Sequence, residues 1–164
     1  VNNDRAELVV KFKVTAFGGD AYIPSLITVT SATTGSAGTA PTSAQGTGLH
    51  LQSSDAQLTT AKGSAILTST ADEATYTPTG TDATDNAYTS LFRVIEGQTE
   101  TFTAKVNVDN SVATAGDLDG AQVRAILTGI SFSSNTNVIV TAGVSVFTSD
   151  LQDDFKTAYA TIAD

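Results

Sequence analysis

The chain of 164 residues reads as all-β, a sandwich of two antiparallel sheets, on three observations. The first is composition. Thr and Ser make up about a quarter of the residues, and charged side chains reach only 15%, below the usual share of about a quarter. β-Branched side chains suit a pleated surface. The second is period-two alternation of apolar and polar residues in several segments. The third is the regular recurrence of turn residues between them. One domain spanning residues 1–164 is expected, since this length buries one sizeable core.

Residues 1–16 form the N-terminal strand. Leu8, Val10, Phe12 and Val14 share one face, and Glu7, Lys11, Lys13 and Thr15 the other, with Val9 the apolar exception. Phe17-Gly18-Gly19-Asp20 is a turn, and extended structure resumes from Tyr22 to Thr30 around an interruption at Pro24. The stretch from Ser31 to Gly48 has almost nothing large and apolar and reads as a long surface loop. Short strands follow at Leu49–Gln52, Ser64–Ser69 and Ala74–Thr77, then a Thr, Asp and Gly stretch from Pro78 to Asn86.

The apolar run Leu91-Phe92-Arg93-Val94-Ile95 ends in a turn at Glu96-Gly97. Beyond it Phe102, Ala104, Val106 and Val108 alternate with Thr101, Thr103, Lys105 and Asn107. A loop from Asp109 to Gly120 leads to a strand at Ala121–Phe132, a turn at Ser133-Ser134-Asn135 and a last strand at Asn137–Phe147. In residues 149–164, Ser149-Asp150-Leu151-Gln152 has the form of a capping box, and Leu151, Phe155, Tyr159 and Ile162 recur at helical spacing. That pattern predicts a short C-terminal helix. An extended docking segment is the alternative.

The segment Val94-Ile95-Glu96-Gly97-Gln98-Thr99-Glu100-Thr101-Phe102-Thr103-Ala104-Lys105-Val106-Asn107-Val108 resembles immunoglobulin-like domains of bacterial and archaeal surface proteins. In those domains a V-x-E-G-x-T-x-T-F hairpin edge precedes a long outer strand. Val123-Arg124-Ala125-Ile126-Leu127-Thr128-Gly129-Ile130 is similar to the returning strand of the same unit. The resemblance covers roughly the second half of the chain. It implies an immunoglobulin-like sandwich with a surface or fibre role.

Charge narrows the partners. The net charge is −9, the pI is about 4.3, and eight basic residues are scattered along the sequence. Nucleic-acid binding needs a cationic surface, and this composition predicts none; anionic lipid is disfavoured by the same sign. No apolar run is long enough to span a bilayer. The chain has no Cys, so it forms no disulfide, and no Met, which fits a secretory leader removed before Val1. An extracellular, cell-surface location is the expectation.

Chemistry is sparse. The single His50 stands between Leu49 and Leu51, and reads as a surface or cross-strand side chain rather than the base of a triad. Without Trp, and with four Tyr, the chain lacks aromatic platforms for a carboxylate glycosidase. No enzyme is expected. Asp109, Asp117 and Asp119 are the candidate metal set, for calcium, because a hard cation takes carboxylate and backbone oxygens and D-x-D-G puts two carboxylates on one turn. A weaker acidic cluster is Asp82, Asp85 and Asn86, joined by Asp72 and Glu73. Otherwise no cofactor is expected. Exposed Lys11, Lys13 and Lys105 read as protection of a sheet edge rather than isopeptide donors.

The leading expectation is therefore a structural subunit of an extracellular homopolymeric filament or surface layer. Its partners are copies of itself, assembled by β-strand complementation with the row Leu8, Val10, Phe12 and Val14 as the inserted side chains. Two alternatives stand beside it: a monomeric adhesion module for a receptor or a host or surface glycan, and a virion decoration protein.

Overall fold

The computed structural model describes residues 5–34, 46–54, 63–75, 90–109, 120–136, 144–146 and 154–162. These residues are almost entirely extended. The strands are β1 (Arg5–Thr15), β2 (Ala21–Pro24), β3 (Ile27–Thr34), β4 (Thr47–Ser53), β5 (Gly63–Ser69), β6 (Asp72–Thr75), β7 (Ser90–Val94), β8 (Thr99–Asp109), β9 (Gln122–Ser131), β10 (Val144–Val146) and β11 (Ala160–Thr161).

Three ladders organise them, in the orders β1-β8-β5, β2-β7-β6 and β10-β9-β4-β3, with β11 on β9. The first two are successive stretches of the same strands. Thr15 pairs with Thr99 and Ala21 with Val94, so residues 16–20 lie opposite 95–98, five residues against four. This mismatch bends the sheet. On the far side Ser69 pairs with Phe102 and Asp72 with Arg93, which turns β6 and β7 away from β5 and β8. The Glu96-Gly97 turn, expected to close a hairpin, instead joins β7 and β8 end to end, with Gly97 at φ 79°. The long strand β8 is central in its ladder, not outer.

The third ladder packs over this bent sheet, and one apolar cluster fills the space between. It takes Leu8, Val10, Phe12, Phe102, Ala104, Val106 and Val108 from the first ladder, and Leu49, Leu51, Val123, Ala125 and Leu127 from the third. Phe12 and Phe102 face each other in register and stack with centroids 5.4 Å apart, and Phe92 meets Phe102 edge-on at 5.8 Å. Burying side chains of this size is worth about 1.5–3 kcal/mol each. The architecture is that of a β-sandwich.

One expected strand, Tyr22 to Thr30, is two. The chain leaves the bent sheet after Pro24, which has no N–H to extend a ladder, and enters the other layer at Ile27. Leu26 accepts from the Thr47 N–H at 3.0 Å, starting the parallel β3–β4 pairing. Gly46 sits at this crossing with φ 66°, and a Cβ there would collide with the Leu26 carbonyl oxygen. Only Gly fits. The margins of the expected 31–48 loop are thus strand, in β3 to Thr34 and β4 from Thr47; β6 begins at Asp72, ahead of the expected Ala74.

Over residues 155–162 the expected C-terminal helix gives way to its alternative, an extended docking segment; the capping-box residues Ser149 to Gln152 lie outside the described residues. From Phe155 the chain is extended along β9: Leu127 N–H donates to Phe155 O, Thr157 N–H to Ala125 O, and Ile162 N–H to Ala121 O, at 2.8–2.9 Å. The i, i+4, i+8 apolar spacing that suggested a helix serves an edge-bound strand, because unpaired N–H groups of β9 offer ladder partners that a helix would forgo. Ile162 is wholly buried, Phe155 packs against the core half-buried, and Tyr159 is exposed. Leu151 lies outside the described residues.

Candidate functional site

β1 carries the candidate assembly residues. Alternation puts Leu8, Val10 and Phe12 in the core, 3–5% exposed, and Val14 half-buried at its margin. In this single chain the row fills its own sandwich, with β1 antiparallel to β8 over all eleven positions. β1 is also an edge strand, paired on one side only among the described residues. Strand exchange is therefore not drawn in this arrangement. An exchanged strand would present the same row to the same pockets.

Where β1 ends, the two layers part. A cleft of about 510 Å³ opens between Phe12 and Val14 of β1, Ile23 of β2, and Ile130, Phe132 and Phe155 of the opposite layer. Phe17 stands at its rim, 85% exposed, on a turn whose two glycines have φ 76° and 141°. The turn is fixed through Asp20, which itself lines the cleft. Asp20 Oδ1 accepts from the Glu96 N–H at 2.9 Å, and its Oδ2 takes Arg93 Nε at 2.8 Å and Nη2 at 2.6 Å. The Glu96 amide, then the Arg93 guanidinium, hold the Asp20 carboxyl below the ordinary carboxylate range.

His50 is buried, 2% exposed, so it is a cross-strand and not a surface side chain. Its Nδ1 lies 2.8 Å from Thr30 Oγ1 across the β3–β4 pair, and its register partner on β9 is Ile126. Neither cross-strand neighbour is a carboxylate. Every residue of β4 is buried, which no alternation in Thr47–Ser53 announced. Next to it, Gln52 Oε1 accepts from Arg124 Nε at 2.6 Å, and the Arg124 guanidinium lies 4.6 Å from the Tyr159 ring centre. This is a cation–π contact at the docked C-terminal segment.

Of the candidate calcium ligands, Asp109 ends β8 opposite Arg5, and Asp117 and Asp119 lie outside the described residues. Asp82, Asp85 and Asn86 also lie outside them, while Asp72 and Glu73 are exposed on β6. Among the described residues no group of three His, Cys, Asp or Glu side chains is placed to share a cation.

Scattered cations prove to be gathered. The register sets Arg5, Lys11, Lys13 and Lys105 on the outer face of the β1-β8-β5 ladder, four of the chain's eight basic residues. Composition gave no sign of this, because strand pairing brings Lys105 beside residues a hundred positions earlier. No helix among the described residues is long and apolar enough to cross a membrane. Compared with protein-family models, curated proteins and solved structures, the chain matches none of them.

Proposed function

We propose that this chain is a structural subunit of an extracellular filament or surface layer, an immunoglobulin-like sandwich whose copies associate by exchanging β1. The observation that carries the reading is β1 itself. It is a long edge strand with its apolar row in the core, joined to the rest through the Gly18-Gly19 turn. Delivering β1 to a neighbour conserves the β1–β8 ladder and the row's burial, so the exchange costs mainly entropy and the opening of that turn. The acidic, Thr-rich composition supports an extracellular setting.

Deleting residues 1–14 tests it. Exchange predicts a soluble subunit that no longer assembles and recovers assembly when the peptide is supplied. A truncated domain that collapses, together with full-length protein that stays monomeric at high concentration, defeats the reading. A monomer would favour an adhesion module instead, with the cleft beside Phe17 and Phe132 as its binding surface.

A further inference from the structure

We propose that the outer face of the β1-β8-β5 ladder docks the acidic end of a second copy of this chain, at the β2-β7-β6 end of the bent sheet. The inference rests on the self-assembly reading and names a contact distinct from the exchanged strand.

The face is built by register. Lys13 lies opposite Thr101, Lys11 opposite Thr103, and Val9 and Ile66 on either side of Lys105. Thr side chains are short, so the lysines stand above a low, polar surface. Val9 and Ile66 are 40% and 60% exposed and flank Lys105 with apolar area. Lys105 holds Glu7 at 2.7 Å; Lys11 and Lys13 have no ion-pair partner among the described residues. Arg5, Lys11, Lys13 and Lys105 share this face with Glu7, a local excess of positive charge on a chain of net −9.

The complement lies farther along the same sheet. Asp72 and Glu73 of β6 and Glu96 of the β7–β8 turn are exposed, and Asp20 there is already matched by Arg93. The two surfaces are different patches of one molecule. A contact between them is therefore head-to-tail, and it propagates wherever the rotation does not close a ring. A second copy suits the face because its own acidic end, with Asp72, Glu73 and Glu96 exposed, supplies carboxylates that complement Lys11 and Lys13 locally. Short-range pairing there has to outweigh the repulsion between two molecules of net −9.

The test uses full-length protein in sedimentation velocity at low and high salt, since contacts between exposed charges fade as the Debye length shrinks. Two variants keep the fold, checked by circular dichroism: Lys11→Gln with Lys13→Gln, and Asp72→Asn with Glu73→Gln. Wild type is expected to form species larger than a dimer at low salt that shrink at high salt. Each variant should associate about tenfold more weakly. Mixed in equal amounts, the variants leave one intact interface per pair and should give a discrete dimer. Oligomers that are unchanged in the lysine variant overturn the docking face and leave self-assembly standing. A wild type that is monomeric in every condition defeats both. A monomer retained on immobilised heparin through Lys11 and Lys13 also overturns it, in favour of an anionic polysaccharide.

Discussion

The two layers of this sandwich bury their residues in opposite styles. β1 alternates exposed and buried along nearly its whole length, whereas β4 is buried throughout and β9 over most of its course. A ladder wet on one face writes its fold into the sequence with period two. A ladder covered on both faces does not, because nothing selects polar residues at alternate positions. The covered layer also carries its polar groups inside: His50, Gln52, Ser53, Thr128 and Ser131 are all buried. Each needs a partner from the fold. His50 has Thr30, and Ser131 Oγ donates to Gly46 O at 2.8 Å, while Thr47 and Thr128 keep buried hydroxyls with no partner among the described residues.

Substitutions can break that contrast. The largest effect is expected in the one-sided layer at Phe102, which is wholly buried between Phe12 and Phe92. Phe102→Ala should cost about 3–5 kcal/mol in denaturant unfolding, and Thr103→Ala, its outward neighbour, a few tenths at most. Similar losses at both positions would mean that β8 is covered on both faces, and the contrast would dissolve.

The next effect belongs to the crossing into the covered layer. Gly46→Ala forces a left-handed backbone on a residue with a Cβ and drives that atom into the Leu26 carbonyl. Backbone strain alone is worth about 1–3 kcal/mol, and the clash adds to it. Gly97→Ala has a similar φ and open space, so it should cost only the strain. The gap between these two variants, read by thermal unfolding, measures how tightly the two layers are stitched.

The smallest effect is at the bend that joins the ladders. Asp20 has a lowered folded pKa, so its contribution is complete above the ordinary Asp pKa and disappears as pH falls through the folded value. Asp20→Asn should therefore be less stable than wild type at neutral pH, with the difference closing on acidification. A gap that stays constant down to about pH 2 would show that the carboxylate charge is irrelevant there.

Legibility followed the same divide. Leu8 to Val14 and Phe102 to Val108 announced both their strands and their buried face, since water on the other side enforces alternation. Pro24 marked an interruption, but not that the chain changes layer there, which depends on the Leu26–Thr47 contact. Phe155, Tyr159 and Ile162 at helical spacing misled, because spacing alone does not record the free edge of β9 waiting for a strand. The buried row on β1 was legible as alternation. The cleft beyond Val14 was not, because Ile130, Phe132 and Phe155 come from distant segments. The cationic face escaped for the same reason.

Ile130 and Phe132, at the end of β9, meet the end of β1 in the cleft, so β1 and β9 start from the same pole of the sandwich. Arg5 opens β1 there. Phe155 lies beside the cleft, and from it the chain runs back along β9 until Ile162 bonds Ala121 and Gly120, at that same starting pole. Both ends of the described chain thus leave from one side. Any covalent anchor attached at either end holds the domain by that pole, and the other, with Phe17 and the Gly97 turn, points away from whatever the chain is fastened to.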